Sequence, residues 1–188
     1  MSAVAETLGA LARVLDSRGL RWFVFGAQAI AVRGAPRTTQ DVDVTVEIER
    51  SRLGELTGAL AAAGFTHRYP EIADQLRERS AVVPLVHTSG MDVDLVLAGS
   101  GLESLALDRA TRVEIAGVSA PVARATDLAV MKVLAGRGKD LDDLRSLLAS
   151  GDLDRDEARD LLAQFERALS RSDLLPRLEA AITELDAD

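Results

Sequence analysis

The sequence predicts an α+β chain, with short strands up to residue 122 and helices from there on, the order expected when a sheet is laid down before a helical layer. Three observations carry this. Trp22-Phe23-Val24-Phe25 is a short apolar run closed by Gly26, and Asp41-Val42-Asp43-Val44-Thr45-Val46 and Met91-Asp92-Val93-Asp94-Leu95-Val96-Leu97 have the strand period of two. From Thr126 onward the leucines fall at helical spacing instead. No internal repeat, low-complexity tract or linker separates the two parts, so we expect a core over 1–125 and a helical region over 126–188 packed on it. The sheet should be small and mixed, flanked by helices.

In chain order, Val4, Leu8, Leu11 and Leu15 predict a packing helix over 3–17, stopped by Gly19. Trp22 to Phe25 reads as a buried strand closed by Gly26. The small-residue segment Gly26-Ala27-Gln28-Ala29 then leads into a helix-compatible Ile30-Ala31-Val32, and Gly34, Ala35 and Pro36 break the chain before the Asp41 strand. Ser51 is placed to cap a helix running to Ala63, ended by Gly64. Phe65 to Tyr69 predicts a short strand, and Glu71 to Arg79 a charged helix or loop after Pro70.

Ala81 to His87 and Met91 to Leu97 form a predicted hairpin around Thr88-Ser89-Gly90, with Pro84 suggesting an edge position or a bulge. Arg112 to Ile115 and Val118 to Val122 suggest a further hairpin around Gly117. The helices that follow are marked by Leu128, Met131 and Leu134, then Leu141, Leu144, Leu147 and Leu148, then Leu161, Leu162, Phe165 and Leu169, with a last helix over 173–188.

The chemistry concentrates in the Asp41 strand. Successive strand residues alternate faces, so Asp41 and Asp43 share one face and Val42, Val44 and Val46 the other. Two like charges without an intervening base repel, and a divalent metal is the strongest reason to keep them, since Mg2+ is typically held by one or two carboxylates plus substrate phosphates. Asp92 and Asp94 repeat the arrangement. The alternatives are plain ones: a solvated edge strand for the first pair and an exposed strand face for the second.

Strand, small-residue turn, helix and then Asp-x-Asp on the next strand resembles the nucleotidyltransferase superfamily related to DNA polymerase β. Gly26-Ala27 followed by Arg37-Thr38-Thr39-Gln40-Asp41-Val42-Asp43 is most similar to the minimal bacterial branch that includes the AbiEii-like toxins of type IV toxin–antitoxin systems. The likeness extends more weakly to Thr126-Asp127-Leu128 through Asp143.

The resemblance implies a polymerase β-like nucleotidyltransferase fold and transfer of an NMP from an NTP to an acceptor hydroxyl. Two Mg2+ (or Mn2+) ions about 3.5–4 Å apart would be gripped by Asp41, Asp43 and a third acid on a neighbouring strand. Asp94 is the expected third acid, with Asp92 its competitor on the same face. Gly26 and Ala27 would offer backbone N–H groups to the triphosphate. Ala27 stands where the family usually has Gly or Ser, so a hydroxyl contact is missing.

Arg37 is a candidate phosphate partner, with a surface role as its alternative. Lys132 is a candidate ligand for the β- or γ-phosphate, against a lysine that snorkels to solvent. Arg137-Gly138-Lys139-Asp140-Leu141-Asp142-Asp143 resembles the toxin branch's Lys-Asp-x-x-Asp segment. There Asp140 is either a nucleotide-site residue or a helix cap, and Asp143 reads as support for the first turn.

Composition narrows the classes. Without cysteine there are no disulfides or thiolate metal sites, and His67 and His87 are not spaced as a ligand pair, so any metal should have oxygen ligands. Neither histidine is expected to hold metal; both read as surface or strand residues. No basic segment followed by an apolar core opens the chain, and no apolar run reaches the ~20 residues needed to cross a bilayer, so a cytoplasmic protein without a membrane partner is expected.

A net charge of −8 opposes indiscriminate nucleic-acid binding but leaves room for a local basic groove around Arg33, Arg37, Arg137 and Lys139. The resemblance therefore favours a toxin-like enzyme acting on RNA such as tRNA, with a cognate antitoxin as a possible partner. Two further readings stand beside it: an antibiotic nucleotidyltransferase, whose cationic aminoglycoside acceptor suits the acidic balance, and a non-catalytic protein of the same fold.

Overall fold

Apolar runs become strands by burying successive side chains and alternating runs by burying one in two, and here seven strands join in one mixed sheet. The computed structural model describes residues 2–34, 39 and 41–187. Its strands are β1 (Trp22–Phe25), β2 (Asp41–Val46), β3 (Phe65–His67), β4 (Val82–His87), β5 (Asp92–Leu97), β6 (Thr111–Ile115) and β7 (Val118–Val122), in the order β3-β4-β5-β2-β1-β7-β6. β2 is the middle strand, parallel to β5 and antiparallel to β1. That removes the solvated edge strand as an explanation for Asp41 and Asp43.

Two compact units make up the chain, one of Met1–Gln28 with Thr38–Ala123, the other of Ala29–Arg37 with Arg124–Asp188. The first holds the whole sheet, with α1 (Ala3–Ser17) packed on β7, α3 (Leu53–Ala62), α4 (Ala73–Arg79) and α5 (Gly101–Arg109). α2 (Gly26–Arg33) starts in the first unit and ends in the second. In α1 the Ser2 hydroxyl accepts from the Ala5 N–H at 3.2 Å, and Leu8, Leu11 and Leu15 are fully buried, as the spacing predicts. The second unit contains α6 (Ala125–Ala135), α7 (Gly138–Ser150), α8 (Arg155–Leu169) and α9 (Leu174–Ala187), closed over Leu128, Leu144, Leu147, Leu162 and Leu178.

Three local expectations change. Ser51 does not cap a helix: it lies inside a 3-10 turn, Arg50–Arg52, and α3 begins at Leu53 with no side-chain cap. Pro84 is not on an edge, because β3 covers β4. Its carbonyl accepts from the Arg68 N–H at 3.0 Å, just past the end of β3. In an antiparallel ladder a residue's N–H and C=O point the same way, so the donor that proline lacks also faces β3 and no bond to β5 is lost. The third change is α5, which the apolar spacing did not suggest. Its signal is the capping box Ser100-x-x-Glu103, where the Ser100 hydroxyl accepts from the Glu103 N–H and the Glu103 carboxylate accepts from the Ser100 N–H.

Candidate active site

The register of the two central strands assembles an acidic face. β2 and β5 run parallel with Asp41 opposite Asp92 and Asp43 opposite Asp94, so strand alternation turns all four carboxylates to one side. On the other side Val42, Val44, Val46, Val93 and Leu95 are fully buried. The apolar half therefore fixes the register. A slip by one residue would send the valines to solvent and the acids into the core. Like charges directly opposite each other oppose strand pairing, so the acids are held together by the burial behind them.

Gly26 abuts this face. It has φ +64°, and a Cβ there would lie 2.7 Å from Asp43 Cγ and 3.0 Å from Asp43 Cβ. Glycine is required both for the left-handed backbone and for the room. Beside it α2 begins, so the first N–H groups of that helix, including those of Gly26 and Ala27, lack intrahelical partners. Gln28, 7 % exposed, donates from Nε2 to the Asp41 carbonyl at 3.4 Å and ties the first turn of α2 to the start of β2. The Thr39 hydroxyl donates to Asp41 Oδ1 and so orients that carboxylate. Gly26→Ala is expected to lower the melting temperature by several degrees, from about 1–2 kcal/mol of backbone strain plus displacement of Asp43, as read by thermal denaturation.

Arg68, which no sequence pattern singled out, meets the opposite end of the face. It follows β3, and its Nη1 is 3.0 Å from Asp92 Oδ2 while its Nη2 pairs with Asp94 Oδ1. Only the β3-β4-β5 pairing brings residue 68 beside residues 92 and 94. Arg37 lies outside the described residues. His67 is half-buried, and burial with nearby Arg77 pushes its pKa below the usual histidine value. His87 is buried against Phe65 at 4.7 Å, its Nδ1 accepting from the Ser89 N–H at 3.2 Å.

In the second unit Lys132 is not a snorkelling lysine. It is 8 % exposed, with its Nζ 3.1 Å from Asp140 Oδ1 and 2.6 Å from Asp143 Oδ2. Asp140 also accepts from the Arg137 backbone N–H at 3.0 Å and from Arg137 Nε at 2.8 Å, closing the first turn of α7. Both carboxylates are almost fully buried. This geometry joins α6 to α7 and gives Lys132, Asp140 and Asp143 a structural task.

Residues 3–174 match the profile of a family described as nucleotidyltransferase of unknown function (DUF6036). The chain is a nucleotidyltransferase of this family. Among curated protein sequences it has no match. Among solved structures the nucleotidyltransferase is similar to the antibiotic-resistance factor ANT(2'')-Ia in solution, at 15 % identity and TM-score 0.63 over 90 % of this chain and 95 % of that one. It is also similar to ANT(2'')-Ia in complex with adenylyl-2''-tobramycin, at 17 % identity and TM-score 0.60 over 88 % and 96 %. The lincosamide antibiotic adenylyltransferase LnuA with lincomycin bound aligns at 11 % identity and TM-score 0.50 over 77 % and 96 %. At such identities the likeness is one of fold.

The nucleotidyltransferase's acidic face has the donor chemistry of a Mg2+ or Mn2+ site, since all four of these side chains offer hard carboxylate oxygens. Among the described residues no three Asp, Glu or His side chains are grouped closely enough to hold an ion, and Arg68 occupies oxygens of both Asp92 and Asp94. No described helix of the nucleotidyltransferase is long and apolar enough to cross a membrane.

Acid should act on this nucleotidyltransferase partly through Asp140. Burial alone would raise the Asp140 pKa, but hydrogen bonds from Arg137 and Lys132 outweigh it and bring it to about 2. A carboxyl with a depressed folded pKa contributes stability above its unfolded value, near about 4, and loses it as pH falls toward the folded value. The contribution is about 2 kcal/mol. The melting-temperature gap between the wild type and Asp140→Asn is therefore expected to be widest above about pH 4 and to narrow toward about pH 2.

Proposed function

We propose that this nucleotidyltransferase moves an NMP from an NTP to the hydroxyl of a small, cationic, polyhydroxylated acceptor of the aminoglycoside type, using Asp41, Asp43 and Asp94. The observation that carries the reading is the parallel β2-β5 register, which puts Asp43 opposite Asp94 on one face beside Gly26. In the reaction the acceptor oxygen bonds to the α-phosphorus, the bond to the bridging oxygen breaks, and pyrophosphate leaves. Asp41, Asp43 and Asp94 would hold Mg2+ or Mn2+, which neutralises charge on the attacking and leaving oxygens. Asp94 takes the proton of the attacking hydroxyl. The N–H groups of Gly26 and Ala27 in the first turn of α2 bind phosphate, and Thr39 keeps Asp41 turned for its task.

Four carboxylates on one face and a net charge of −8 favour a cationic acceptor over a polyphosphate strand. The fold neighbours that carry tobramycin or lincomycin support the same choice. The toxin-like reading, with tRNA as acceptor and an antitoxin partner, leans on the likeness of Gly26-Ala27 and Arg37 to Asp43 and, more weakly, on the segment Lys139 to Asp143. In that segment Asp140 and Asp143 already pair with Lys132, which leaves that reading less support. A labelled NTP, Mg2+ and a panel of aminoglycosides, lincosamides and total tRNA decide between them. Label is expected on an aminoglycoside; label confined to tRNA would overturn the choice of acceptor.

A further inference from the structure

We propose that Arg68 is a built-in competitor of the divalent cation: its guanidinium holds Asp94 through the same carboxylate that the ion needs, so Arg68 sets how tightly the site takes metal. The inference rests on Asp94 being the third metal carboxylate, as read above.

The guanidinium forks across two acids two residues apart on β5, Nη1 to Asp92 at 3.0 Å and Nη2 to Asp94. Such a fork replaces two of the interactions a cation would make with these oxygens, and it brings a positive charge to the spot where a second positive charge would have to sit. The backbone of residue 68 is pinned by its N–H bond to Pro84, so only the side chain has to move for exchange. The grip is also incomplete. Among the described residues Arg68 Nε is buried and has no hydrogen-bond partner, and an unmade bond of that kind weakens the closed arrangement. The three side chains are 25 %, 44 % and 37 % exposed for Arg68, Asp92 and Asp94, so water and ions reach the pair. Asp92, which the three-acid scheme leaves idle, thereby acquires a role: it is the second anchor that keeps Arg68 over β5 when Asp94 is released.

Mn2+ binding, followed by electron paramagnetic resonance without nucleotide, tests this independently of transfer. Arg68→Gln removes the charge and is expected to bind Mn2+ about tenfold more tightly than the wild type. Arg68→Lys keeps the charge and is expected to stay within about twofold. A second measurement uses the unaltered protein: the Arg68 Nε resonance should shift as diamagnetic Mg2+ is titrated, and it decides alone if Arg68→Gln does not fold. Mn2+ affinity unchanged or weakened in Arg68→Gln, no Mn2+ bound by either protein, or Mg2+ saturation without movement of the Arg68 resonance would each overturn the proposal. An Asp43-dependent transfer activity alongside any of those results would leave the enzymatic reading intact and remove only the role of Arg68.

Discussion

Replacing Asp43 with alanine is expected to reduce nucleotidyl transfer by about a thousandfold or more, because charge stabilisation by a bound cation contributes several kcal/mol and each 1.36 kcal/mol is about tenfold in rate. Asp43 lies in the middle strand, opposite Asp94 and in contact range of Gly26, so it is the carboxylate through which the turn and both strands meet. Asp43→Asn keeps the volume and removes the charge, and it should lose as much. Transfer is read with labelled NTP on the best acceptor of the panel, and folding by circular dichroism. Activity within about tenfold of wild type in either variant would sink the assignment of the site.

The largest effect on stability is expected at Lys132. Lys132→Met leaves Asp143 buried beside an apolar side chain, while Asp140 retains Arg137. Removing one partner of a buried ion pair costs about 3–5 kcal/mol, because the remaining buried charge loses that partner's compensation. For a chain of this size that is a drop of about 10 °C in melting temperature. Adding Asp143→Leu to Lys132→Met removes the second charge of that pair as well and is expected to recover part of the loss, so the two substitutions should be non-additive. A Lys132→Met protein that keeps its melting temperature but loses transfer would return Lys132 to the phosphate role.

These two residues show how differently a sequence exposes its parts. Asp41 and Asp43 are legible because strand alternation is a local rule: a period of two, valines on one side and acids on the other, needs no partner strand to be read. Gly26 is legible as a turn for the same local reason, although the second demand on it, the closeness of Asp43, comes only from the packing of β1 against β2. Lys132 misleads a local reading because a lysine on an apolar helix face looks like a snorkelling residue until α7 folds back and supplies two carboxylates. Pro84 misleads in the same way, since whether its missing donor matters depends on where β3 ends. The α5 helix shows the reverse case: its apolar spacing is weak, yet its capping box is written in four consecutive residues.

By itself the sequence determined the order of strands and helices, the two acidic pairs, the glycine turn and the likeness to polymerase β-type nucleotidyltransferases. All of these depend on neighbours along the chain. The tertiary structure alone decided that β2 is the middle strand, that residue 43 faces residue 94, and that residue 68 comes to rest on residues 92 and 94. Those are matters of which strands pair and in what register, and hydrogen bonds between strands are set by contacts far apart in sequence that no local period encodes.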